Sequence, residues 1–196
     1  MIALPNYADI NGRPMKKLQI QQYLRKLQLN DFEPAVNLAT LTKLQDAHLK
    51  YIPYENFDCL NGKITSLKRQ DMFNKVIMHN RGGICFELNG LYNWLLESLG
   101  FDVTSYSARF IDKMETYQLR RHRVMCVTLG DKRYLTDVGV NSESPRVPLE
   151  ITEGLIQSDG ISQYKFTRSE FWGWLLWQKE RGKIWKRLFG FTEEPQ

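Results

Sequence analysis

Apolar residues fall at helical spacing through the first part of the chain and at strand spacing through the rest. In KKLQIQQYLRKLQL, Leu18, Tyr23/Leu24 and Leu27 fall on one apolar face, and Ala35, Leu38, Leu41/Leu44 and Leu49 fall on another. Ser66 is placed to cap a third helix running through Met72, Phe73, Val76 and Ile77. From Leu88, the pairs Leu91/Tyr92 and Leu95/Leu96 with Leu99 predict a fourth helix, and Gly100 follows at the position of a left-handed cap. The pattern then shortens. FDVTSYSARF (101–110), HRVMCVTL (122–129) and RYLTDV (133–138) are rich in Val, Thr and Tyr and read as strands, with Gly130-Asp131 as the turn between the last two. The final fifty residues read as further strands, including a hairpin in WLLWQKERGKIWKRLFGF with Gly182 near its tip. Trp172, Trp174, Trp177 and Trp185 read as core packing. The expected class is α+β: an N-terminal helical bundle over residues 1–99, then a β-barrel over residues 100–196.

Composition narrows the function. A chain of 196 residues with 42% hydrophobic residues is expected to bury a core. Its net charge of +5 is dispersed, which suits an anionic ligand and lacks the concentrated basic stripe of a nucleic-acid binder. Three cysteines without C-x-x-C spacing argue for a reducing compartment and against structural zinc. No run of eighteen apolar residues and no signal-peptide pattern is present, so a cytoplasmic protein without a membrane span is expected.

The candidate chemistry lies in Arg81-Gly82-Gly83-Ile84-Cys85-Phe86-Glu87. Cys85 opens the fourth helix, where unpaired N–H groups and the macrodipole favour a thiolate. The chain offers three histidines as its base. His48, within a helix, reads as a surface or interface residue, and His79 as the C-terminal end of the third helix. His122 begins a strand, and Asp137 ends the next one. Counted from the turn, the two lie at similar distances, so they are expected as cross-strand neighbours, with β-carbons about 5 Å apart. Such a pair lets the Asp orient the His. The order Cys, His, Asp resembles the cysteine-protease arrangement, and spacing alone leaves hydrolysis, transamidation and acyl transfer open.

These residues resemble a known family. RGGICFELNGL around Cys85 is similar to the active-site signature of the arylamine N-acetyltransferases. Ile52-Pro53-Tyr54-Glu55-Asn56-Phe57 resembles that family's Pro-Phe-Glu-Asn-Leu marker. Gly100-Phe101, Arg109-Phe110, His122-Arg123-Val124 and Tyr134 to Gly139 continue the resemblance in order, from about Tyr23 to the C-terminus. The resemblance implies a Cys85-His122-Asp137 triad and ping-pong transfer of acetyl from acetyl-CoA to an arylamine, hydrazine or N-hydroxyarylamine, a role in xenobiotic metabolism. It implies an acceptor pocket lined by Tyr54, Phe110 and Val140, and a coenzyme path along Gly139 and Asn141. Arg81 and Glu55 are expected as a buried support pair, and Asn89, one helical turn after Cys85, either as a partner of the triad carboxylate or as a partner of a buried backbone group. No metal is expected.

Two departures stand out. Asn141 replaces the second glycine of Asp-x-Gly-x-Gly, and Tyr54 replaces a Phe. The family continues into a third, lid-like domain past the equivalent of Phe191 to Gln196, so a short form is expected, with weakened coenzyme binding and an uncovered apolar edge favouring a homodimer. The competing readings are a thiol hydrolase or amide synthase using the same triad, and a catalytically weak homologue with a binding role.

Overall fold

A computed structural model describes residues 12–111, 119–140 and 143–195. Five α-helices come first: α1 (Lys17–Lys26), α2 (Leu38–Tyr51), α3 (Phe57–Leu60), α4 (Arg69–Phe73) and α5 (Cys85–Ser98). Eight strands follow: β1 (Asp102–Phe110), β2 (His122–Leu129), β3 (Lys132–Thr136), β4 (Leu149–Glu150), β5 (Gln157–Ser158), β6 (Ser162–Ser169), β7 (Gly173–Glu180) and β8 (Lys186–Pro195). Among the described residues no helix is long and apolar enough to cross a membrane.

The strands form one antiparallel sheet in the order β4-β3-β2-β1-β8-β7-β6-β5. The sheet curls until its ends nearly meet. The Gln157 side chain acts there as a substitute strand: its Oε1 accepts from Glu150 N–H at 2.7 Å and its Nε2 donates to Glu150 O at 2.8 Å. A parallel bridge between Glu153 and Phe166 continues the closure. A nearly closed, barrel-like sheet leaves few exposed edge groups.

Two apolar cores meet at β2. Met125 and Val127 face the helices and join Leu41, Leu44, Leu88, Leu91 and Tyr92. Val124 and Cys126 face inward and join Phe166, Trp174, Leu176 and Phe189. A strand covered on both faces must be apolar at successive positions, which accounts for the run Val124-Met125-Cys126-Val127. The helix-side core also takes Tyr134 and Val138, so it is completed by residues well past position 100.

Several expectations are corrected. Leu18 is 65% exposed, and the apolar face of α1 is Ile20, Tyr23, Leu24 and Leu27. Ala35 and Leu38 are exposed too, because α2 starts only at Leu38, capped by Asn37 Oδ1 accepting from Thr40 N–H at 2.8 Å. Ser66 caps no helix; its hydroxyl donates to Asp71 Oδ2 at 2.6 Å. The third helix is five residues of α4 that widen into a π-helical turn, Asn74–Met78. His79 ends that turn, exposed, as expected. The Gly130 turn and the β7–β8 hairpin around Gly182 form as expected, both glycines at positive φ. Trp174 belongs to the barrel core and Trp172 to a small outer cluster. Trp177 and Trp185 are only half-buried, with the Lys165 ammonium 4.6 Å from the Trp185 ring centre.

His48 is the largest correction. It is fully buried between the rings of Tyr23 and Tyr92, at 6.1 and 5.3 Å, and neither ring nitrogen has a hydrogen-bond partner. Burial penalises the imidazolium and lowers its pKa to about 3.

Candidate active site

The loop before α5 is built by close approaches. A Cβ on Gly82 would lie 2.0 Å from Pro53 O, and one on Gly83 would lie 2.9 Å from Glu87 Oε2. Neither position admits a side chain without movement. Gly83 also pairs with Tyr54 in an isolated parallel bridge, and Glu55 N–H donates to Gly83 O at 3.0 Å. Glu87, three residues into the helix, reaches back to accept from Ile84 N–H at 2.9 Å. That closes one of the orphan donors at the helix start. Its other oxygen takes Lys75 Nζ at 2.8 Å, and Lys75 also meets Asp58 at 2.9 Å. Lys75 sits on the π-helical turn, so the widened turn joins the Cys85 loop through this ion network. Arg81 pairs with Glu55 at 2.7 Å; the Glu55 side chain is 9% exposed and that of Arg81 40% exposed, so only the carboxylate half of the expected support pair is buried.

Cys85 is the first residue of α5 and is 8% exposed, its Sγ donating to Arg121 O at 3.5 Å. His122 and Asp137 are both fully buried, and His122 Nε2 lies 2.6 Å from Asp137 Oδ2. They are not directly opposed across the strands. Met125 pairs with Thr136, so the register sets Asp137 beyond the end of β3 and diagonal to His122. Two residues then hold the carboxylate in place of strand pairing. Asn89 Nδ2 and Gly139 N–H both donate to Asp137 Oδ1 at 2.8 Å. Asn89 Oδ1 also accepts from Val138 N–H at 2.9 Å, and its Nδ2 reaches Arg123 O at 2.6 Å.

The imidazole of His122 is flanked by the rings of Phe110 at 5.0 Å and Phe189 at 5.2 Å. Burial favours neutral His122, but the Asp137 charge and hydrogen bond, aided by the nearby Cys85 sulfur, outweigh it and raise the pKa to about 9. Nδ1 makes no hydrogen bond of good geometry, although the sulfur is close enough to contribute to that rise. Cys126 is buried in the barrel core, and its thiol is raised to about 11 chiefly by desolvation.

The remaining candidates fall at different places. Tyr54 is partly exposed near Cys85, which contributes with burial to raising the phenol pKa. Phe110 is 40% exposed beside His122. Val140 is buried in the barrel core, its N–H donating to Ser144 Oγ at 2.9 Å. Gly139 abuts Cys85, where a Cβ would lie 2.8 Å from Cys85 Cα. Asn141 lies outside the described residues. Sequence reasoning missed Phe189, Lys75 and the capping role of Glu87. The last had a signal, an acidic residue three positions after the residue that precedes the helix.

Residues 37–196 match the N-acetyltransferase family. A Mycolicibacterium smegmatis protein named arylamine N-acetyltransferase is 35% identical over 180 residues, covering 89% of this chain and 64% of the relative. The chain belongs to the arylamine N-acetyltransferase family. The solved structure of arylamine N-acetyltransferase from Salmonella typhimurium superposes with a TM-score of 0.86 at 27% identity, covering 93% of this chain and 65% of that one. A relative named proansamycin X synthase, from Amycolatopsis mediterranei, is 30% identical over 188 residues, covering 93% of this chain and 70% of its own. The chain thus spans somewhat under two thirds of the M. smegmatis arylamine N-acetyltransferase.

Proposed function

We propose that this chain transfers an acetyl group from acetyl-CoA to an arylamine, hydrazine or N-hydroxyarylamine through an acetyl-Cys85 intermediate. The observation that carries the reading is the buried His122–Asp137 pair, 2.6 Å apart, beside a cysteine at the start of α5. Cys85 is the nucleophile, His122 its acid and base, and Asp137 the group that orients His122.

In the first half-reaction the Cys85 thiolate attacks the thioester carbonyl, with the lost thiol proton held on His122. Backbone N–H groups in the first turn of α5 offer donors to the oxyanion. Collapse of the tetrahedral species expels coenzyme A, which takes the proton from His122. Thioester exchanges for thioester, so little bond energy changes hands. In the second half the amine attacks acetyl-Cys85, His122 removes the amine proton, and the thiolate leaves. Phe110, 40% exposed beside His122, and the partly exposed Tyr54 support an acceptor pocket there, with Val140 as its third proposed member. Gly139, which abuts Cys85, and Asn141 are the residues we assign to the coenzyme path.

The test is steady-state kinetics with acetyl-CoA and a hydrazine or arylamine series. Parallel double-reciprocal lines and acceptor-dependent release of coenzyme A are expected; intersecting lines would rule out the two-step scheme. Similarity to the protein named proansamycin X synthase favours one second reading. In that reading Cys85, His122 and Asp137 act on another acyl compound, forming an amide or hydrolysing it. Faster turnover of a longer acyl thioester or aryl ester than of acetyl-CoA would select it.

A further inference from the structure

Gln45 of α2 is fully buried, and its amide is committed to a single stretch of chain. Oε1 accepts from Thr136 Oγ1 at 2.5 Å, and Nε2 donates to Pro145 O at 2.6 Å. Thr136 is the last residue of β3 and immediately precedes Asp137. Pro145 lies at the far end of the stretch that carries Asp137, Gly139 and Val140. Beyond Thr136 no ladder pairing fixes the register of Asp137. One planar amide from α2 therefore ties both ends of the stretch, while Asn89 of α5 holds it between.

We propose that Gln45 is a positioning residue for the transfer chemistry: by fastening Thr136 and Pro145 to α2, it holds the Asp137 carboxylate against His122 and the Gly139 backbone against Cys85. A removed amide leaves the Pro145 carbonyl buried without its partner and the Thr136 hydroxyl with only the Tyr92 phenol, and the stretch relaxes to recover them. Small displacements matter at a reacting centre, since a misplacement of about 1 Å can lower a rate by about 100-fold. The kinetic consequence rests on the acetyl transfer proposed above; the geometric one does not.

The test is a histidine-selective NMR titration of the full chain, with the His122 resonance assigned by its loss in His122→Gln. In the wild type His122 should titrate near 9. In Gln45→Met, which keeps the volume and removes both hydrogen bonds, the His122 midpoint should fall by about one pH unit or more as Asp137 drifts. Thr136→Val should reproduce the fall, and Thr136→Ser, which keeps the hydroxyl, should restore the wild-type midpoint. For acetyl transfer, kcat should fall about tenfold or more with KM for the acetyl donor little changed. An unchanged His122 midpoint in a folded Gln45→Met protein of lowered thermal stability would make Gln45 merely structural and overturn the proposal. If Gln45→Met does not fold, the Thr136 pair decides: identical titrations for Val and Ser overturn it. A wild type that transfers no acetyl group would defeat the reaction while leaving the titration to decide the role of Gln45.

Discussion

Gly139 rests against Cys85: a Cβ built on the glycine would lie 2.8 Å from Cys85 Cα, 3.0 Å from Cys85 Cβ and 2.9 Å from Asn89 Nδ2. The segment that bears Asp137 is thereby seated directly on the helix start that bears the sulfur. Gly139→Ala must push them apart. Transfer should fall by about 100-fold, with a stability loss of about 1–3 kcal/mol from overpacking. Acceptor-dependent release of coenzyme A from acetyl-CoA, with thermal melting alongside, measures both. An alanine variant with wild-type rates would show that the contact is slack.

The His122–Asp137 pair should make stability depend on pH in a defined direction. The folded His122 pKa is raised to about 9 from an ordinary 6.5. The pair's contribution is therefore complete below pH 6.5 and lost as pH rises through 9. Its full size is about 3 kcal/mol. Denaturant unfolding of wild type and Asp137→Asn across this window should give curves that separate at low pH and converge at high pH. A constant gap would contradict the assignment.

His48 should act in the opposite range. Its folded pKa is depressed to about 3, so the native state resists its protonation. The stability tied to neutral His48 is present above pH 6.5 and lost as pH falls toward 3. His48→Phe should flatten the acid limb of the stability profile, by roughly 4–5 kcal/mol at its greatest. Equal acid sensitivity in both proteins would mean that His48 escapes burial before it charges.

Glu87 links helix capping to the ion network. Its side chain is 3% exposed, and that of Lys75 is 17% exposed. Glu87→Leu removes one of the carboxylates around Lys75, leaving Asp58 at 2.9 Å, and frees Ile84 N–H, and should cost about 1–3 kcal/mol. Chemical denaturation measures it. The double variant Glu87→Leu/Lys75→Met should recover part of the loss, and no recovery would separate the two residues energetically.

The sequence disclosed most where one residue type has one physical use. The repeat Leu91/Tyr92, Leu95/Leu96 and the terminating Gly100 marked α5, and Gly100 does take φ +92°. The Gly130 turn likewise marked the β2–β3 hairpin. Polar residues in apolar stripes were harder to read. Gln45 is four residues after Leu41, and His48 four after Leu44, so both fall in phase with the buried face of α2. Their phase is visible in the sequence, but for His48 the residue type points to the surface, whereas the structure buries it fully. The diagonal placement of Asp137 was illegible because turn counting assumes that the ladder continues, and here β3 stops at Thr136. Neither the widening at Asn74–Met78 nor the closure of the sheet through Gln157 and Glu150 leaves a periodic trace. By type alone Cys126 is equivalent to Cys85; both are buried, and what separates them is that Cys85 opens α5 while Cys126 sits in the barrel core.

The central claim is that Cys85 carries the acetyl group, and intact-protein mass spectrometry after mixing with acetyl-CoA alone tests it most directly. The account predicts that wild type gains the mass of one acetyl group, mapped by proteolysis to the peptide containing Cys85, and loses it when an arylamine or hydrazine is added. Cys85→Ala should gain nothing. A folded wild-type protein that remains unmodified, or an acetyl group that maps to Cys59 or persists in Cys85→Ala, would contradict it.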